Sequence, residues 1–212
     1  MNNHNRINSV HYHAGVTLLE LMISTLILGI IISVAMPSFS GMGDTQRLIG
    51  ATEQIYNHIQ QTRSESVSKN SAAYIKFEVD GTASWEYGFS TVSGTCSLTV
   101  TVPTTANACV IVVDDGDGLV DPGDGSVDNE DLVLMRFIDT EWRDVKLNIN
   151  SFSSGNTQID FNPVRGTSTS GQINVESGNG KQLNINVSLL GRPTICIPST
   201  STATAIGGYT EC

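Results

Sequence analysis

The residues able to do chemistry are few in this sequence, and most fall in three places. The first is an acidic stretch, "DDGDGLVDPGDGSVDNED" (114–131), which holds no Lys or Arg. Oxygen ligands two residues apart suit Ca²⁺, so Asp115, Asp117 and Asp121 are candidate ligands, with Gly118 permitting a sharp turn. The EF-hand pattern is not met, because aligning Asp115, Asp117 and Gly118 with it puts Val113 at the first ligand position. A solvated Asp-Gly turn without an ion accounts for the same residues, since both types favour tight turns. The second place is Glu20, a lone carboxylate in "GVTLLELMISTLILGIIISVAMPSF" (15–39), which is otherwise apolar almost throughout from Val16 to Met36. A charge left unpaired in hydrocarbon costs about 2.5–3.5 kcal/mol on the milder scales, which a helix N-terminus only partly offsets. The third is histidine: His4, His11 and His13 precede the apolar run, leaving His58 beyond it. A lone helical His more often packs than catalyses. With no Gly-rich phosphate loop, nucleophile elbow or zinc-binding His pair, no enzyme is expected.

The elements that position these residues follow from periodicity. Segment 16–36 is long enough to cross about 30 Å of hydrocarbon as a helix. A secretory signal would put its small-residue cleavage site after the apolar run, whereas Gly15 stands before it. Cutting there would discard a polar leader, 1–15, and keep the helix; an uncleaved single-span anchor is the alternative. Pro37 has no amide hydrogen and is expected to kink or interrupt the helix after Met36. Beyond it Leu48, Ala51, Ile55 and Ile59 recur at three- and four-residue spacing. The pattern predicts a long helix over 17–68, apolar first and amphipathic second, whose second half lies against a globular head.

From residue 72 onward short β-like runs appear at 72–79, 84–90, 96–102, 108–113, 131–138, 145–150, 157–161, 171–175 and 182–188. Gly, Asn, Ser or Pro separates them. Leu183, Ile185 and Val187 alternate with polar residues, which implies a sheet with one wet face. The expectation is an α+β protein of one head, 69–212, and one long helix, 16–68. Net charge is −10, and that field repels nucleic acid and acidic membrane surfaces.

The segment 15–39 resembles the class III signal of type IV pilins and type II secretion pseudopilins, in which Gly, a first mature residue, Thr-Leu-x-Glu and an apolar run stand at fixed spacing. Val16 replaces the usual Phe, and the leader is poor in Lys and Arg. The resemblance implies a prepilin peptidase that cuts between Gly15 and Val16 and N-methylates Val16. It also implies assembly roles for Thr17, Glu20 and Pro37, with Glu20 pairing to the new ammonium of its own or a neighbouring chain. Parts of the head, 110–137 and then 159–175 followed by 182–197, resemble the GspH/FimT group of minor pilins and pseudopilins.

This resemblance implies a pilin-like fold and a single-pass subunit of the bacterial inner membrane with a periplasmic head. Its partners would be minor and major pilins or pseudopilins, met through the N-terminal helix of a pilus or pseudopilus. No cofactor is expected apart from the Ca²⁺ considered for the acidic stretch. Some members of the group capture DNA through Gly-Arg-x-Arg. Here "GRPT" keeps Gly191 and Arg192 but places Thr194 at the second Arg, with Lys181 and Arg165 as the other candidate cations. So few cations release few counter-ions, and DNA is not an expected partner. An oxidising periplasm would preserve disulfides. Four cysteines allow three pairings, of which proximity favours Cys96–Cys109 and Cys196–Cys212.

Overall fold

The computed structural model describes residues 15–79, 84–92, 95–113, 131–150, 152, 157–199 and 206–212, with backbone alone for 34–40. The chain forms two compact units, one ending at Ser40 and the other spanning Gly41–Cys212. One helix, α1 (Leu18–Ser68), contributes to both. Its backbone is helical through Pro37, so the interruption expected there is absent. A proline removes one hydrogen bond from the ladder, and the turns on either side hold.

In the second unit, the periodicity read from sequence is the buried stripe. Leu48, Ala51, Ile55 and Ile59 are each 0% exposed. The stripe continues through polar residues that satisfy themselves. Thr52 Oγ1 donates to the Leu48 carbonyl and Thr62 Oγ1 to that of His58, each at 2.7 Å. Gly50 is required for packing, because a Cβ there would lie 2.5 Å from the Trp142 ring.

The strands are β1 (Ala73–Val79), β2 (Trp85–Ser90), β3 (Val110–Val112), β4 (Leu132–Leu134), β5 (Arg136–Ile138), β6 (Lys146–Asn150), β7 (Gln158–Asn162), β8 (Thr167–Ser168), β9 (Gly171–Glu176), β10 (Gln182–Val187) and β11 (Pro193–Cys196). They form an antiparallel sheet ordered β5-β2-β1-β7-β8, a second ordered β11-β10-β9-β6, and the pair β3-β4. Alternation aims Ile75, Phe77, Tyr87, Phe89, Ile173, Val175, Leu183 and Ile185 into the same core as the helix stripe. Asn174, Asn184 and Asn186 take the intervening positions. Thus the α+β architecture, a helix packed on a β-rich head, is the one the sequence implies.

Two expectations are corrected. Run 96–102 is not a strand: it turns at Ser97–Val100 and makes a single bridge, Ser97 to Ala108. The Cys96–Cys109 bond and Leu98 fold it onto itself. Run 131–138 is two strands, because Met135 leaves the ladder. Its N–H donates to the Cys109 carbonyl at 2.7 Å, and its own carbonyl accepts from Phe89 at 3.1 Å.

Polar contacts fasten the helix along its length within this unit. Lys181 Nζ donates to Thr45 Oγ1 at 2.9 Å, Tyr209 to Glu53 at 2.8 Å and Trp142 Nε1 to Gln54 at 2.7 Å. His58 Nδ1 lies 2.8 Å from the Tyr87 hydroxyl and its ring 4.2 Å from that of Phe137. Burial lowers the His58 pKa. The unfolded chain, near 6.5, therefore takes up the proton first, and stability is retained above that pH and lost as pH falls below it. Urea melts at pH 7 and pH 5 should show the loss in wild type and a smaller one in His58→Gln; identical pH dependence would refute it.

Candidate functional site

The N-terminal segment presents the processing and assembly residues. Gly15 is exposed, with no atom within 4 Å of where a Cβ would sit, and Val16 is 72% exposed. Helix α1 starts two residues later because Thr17 caps it: Thr17 Oγ1 accepts the Glu20 backbone N–H at 3.2 Å. Thr-x-x-Glu is the capping-box spacing, in which the side chain satisfies an otherwise orphan donor. The sequence thus carried a second meaning for Thr17 that the family motif concealed.

Hydroxyls further along the segment turn back on their own helix. Ser24 Oγ donates to the Glu20 carbonyl at 2.7 Å, Thr25 Oγ1 to Met22 at 3.0 Å and Ser33 Oγ to Ile30 at 2.7 Å. They need nothing from outside. The Glu20 carboxylate differs, having no hydrogen bond or ion pair with any described residue. Around it Leu18, Leu19 and Met22 are 78%, 69% and 62% exposed. No described residue supplies a counter-ion for the acid. Among the described residues no helix is long and apolar enough to cross a membrane. Side chains of the candidate span 16–36 are described only as far as Ser33.

In the head, Arg192 lies exposed in the β10–β11 turn. Gly191 there has φ 69°, and a Cβ would stand 3.0 Å from Arg63 Nε. The glycine therefore serves the turn and leaves room for a helix arginine that sequence reasoning missed. The hairpin is joined to β8, which follows the turn carrying Arg165, through Ser168 N–H to the Leu189 carbonyl at 2.9 Å. Lys181 is elsewhere, at the opposite end of β10 on Thr45, so it does not join Arg192.

Cys96 bonds Cys109 with Cα atoms 4.8 Å apart, and Cys196 bonds Cys212 at 5.0 Å. Gly88 underlies the first bond, since a Cβ there would lie 2.8 Å from Cys109 Sγ and from the Met135 carbonyl. Asp115, Asp117 and Asp121 lie outside the described residues. Among the described residues no group of three His, Cys, Asp or Glu side chains could hold a metal.

Comparison with known proteins places this geometry. The family model described as "Type II transport protein GspH" matches residues 51–191, more than half of the chain, and the "Prokaryotic N-terminal methylation motif" matches 11–36. The chain belongs to the GspH family. It is a minor pilin or pseudopilin of the type IV pilin class, whose members are structural subunits. Two crystal structures of the type IV minor pilin FimU of Pseudomonas aeruginosa are similar to this GspH-family chain. They are 16% and 15% identical, cover 69% and 71% of it and 90% and 88% of their own length, and both give a TM-score of 0.39. No curated protein matches the sequence.

Proposed function

We propose that this GspH-family protein is a minor pilin that enters a type IV pilus and helps to prime or cap it. Prepilin peptidase cuts between Gly15 and Val16, removing leader 1–15 and methylating the new amine. Helix 16–68 holds the subunit in the bacterial inner membrane through 16–36, with head 69–212 on the periplasmic side. The observation that carries this reading is the Glu20 carboxylate, the unsatisfied polar group of a segment whose described hydroxyls all turn inward. In lipid it requires a cation, and a freed Val16 ammonium supplies one without adding a basic side chain. Minor and major pilins, docking helix to helix, then cover the exposed apolar residues.

Intact mass of the protein isolated from native membranes tests the processing step. The expected mass lacks residues 1–15 and carries one added methyl group. A Gly15→Phe variant should run as an unprocessed, larger band. Leader retained on wild-type protein would overturn the reading.

Membership of the GspH family supports a second reading, a minor pseudopilin of a type II secretion system. Pro37 supports the pilus instead, as many such pseudopilins lack that proline. Detection in sheared surface filaments selects the pilus; a secretion defect without filaments selects the alternative. DNA capture is the weakest reading, because among the described residues few cations, Arg63 and Arg165, accompany Arg192 near its turn and the chain carries a net charge of −10.

A further inference from the structure

The two disulfides sit in opposite chemical surroundings. Cys96 and Cys109 are 2% and 0% exposed and pack with Leu98. Among the described residues no side-chain donor reaches either sulfur. Cys196–Cys212 meets an amide at each sulfur. Asn186 Nδ2 donates to Cys196 Sγ at 3.1 Å, and Asn184 Nδ2 approaches Cys212 Sγ at 3.8 Å.

These amides end two rows that cross the outer face of the second sheet. In one, Asn150 donates to Gln172 at 3.1 Å and Gln172 to Asn186 at 2.7 Å. In the other, Asn174 donates to Asn184 at 2.8 Å. Each row runs in a single direction, so the oxygen of its last amide already accepts a bond and the N–H that is left faces sulfur. Cys196 is 7% exposed, whereas Cys212 is exposed. Cys212 is thus the more exposed residue of the pair, and Cys196 is sheltered beside a donor.

We propose that Cys196–Cys212 is a site of thiol–disulfide exchange with a protein dithiol, with Cys212 Sγ attacked and Cys196 the leaving group. A thiolate of the dithiol forms a mixed disulfide with Cys212, and the S–S electron pair departs on Cys196 as a thiolate. Asn186 N–H stabilises that charge, and exchange is faster when the leaving thiolate is more stable. The second thiol of the dithiol then displaces Cys212, which takes a proton; the dithiol ends oxidised and the pair reduced. Among the described residues, segment 206–212 is held by its bonds to Ile197, at 2.8 and 3.0 Å, by the Tyr209–Glu53 contact and by Ile206 in the core.

The test uses the full chain in detergent micelles, with dithiothreitol as the dithiol, timed alkylation and peptide mass spectrometry. Cys196 and Cys212 should be labelled at least about tenfold faster than Cys96 and Cys109. Asn186→Leu, which keeps bulk but removes the donor, should slow that pair several-fold and leave the other unchanged. Equal rates for the two pairs in wild type, or earlier reduction of Cys96–Cys109, would overturn the proposal. So would an Asn186→Leu rate equal to wild type. If the variant unfolds, both of its pairs accelerate together, and the wild-type ratio decides.

Discussion

Glu20→Ala should leave the protein in the inner membrane and largely remove it from filaments. The apolar segment is unchanged, so insertion persists. On the processing proposed above, what changes is the stacked state, where the substitution would strand a Val16 ammonium in hydrocarbon. Removing one partner of a buried ion pair costs more than the pair contributes, because the other charge remains. At about 2.5–3.5 kcal/mol for an unpaired charge, and tenfold for every 1.4 kcal/mol or so, incorporation should fall by about two orders of magnitude. Glu20→Gln keeps the shape and should fall between. Quantitative blots of sheared filaments against membranes measure this. An Ala variant that assembles like wild type would remove the ion pair from the account.

Ile55→Ala should melt the head at a clearly lower temperature, whereas Ile27→Ala on the same helix should not. Ile55 is 0% exposed and lies in the common core; Ile27 is 50% exposed. Truncating a buried isoleucine costs about 2–5 kcal/mol, the transfer term plus the cavity left behind. For a protein of this size that lowers Tm by on the order of 10 °C. The exposed position leaves no cavity. Calorimetry in detergent distinguishes them, and equal shifts would mean that the two halves of α1 melt as one element.

Much of this was legible in sequence where a pattern reflects one dominant force. Burial at period 3.6 marked Leu48, Ala51, Ile55 and Ile59, and alternation marked β9 and β10. The Gly15–Glu20 spacing identified the family because four residue types coincide. What was hidden depends on partners far along the chain. Nothing near Met135 says that its amide will serve Cys109 and split a strand, and 96–102 reads as extended until its disulfide folds it back. Arg63 was invisible as a neighbour of Gly191, since only the fold lays the β10–β11 turn on that helix face. Thr17 adds a further lesson: its capping role was local and readable, but the family motif drew attention to the residue first.

The fastenings between α1 and its head have a mechanical consequence. Thr45, Glu53, Gln54 and His58 are spread over more than three turns of helix and grip partners on different elements. A pull along the helix axis loads these contacts in parallel as shear, together with the apolar stripe beneath them. It does not open them one after another like a zipper. A subunit anchored by its helix in a fibre under tension therefore keeps its head seated until many bonds fail at once.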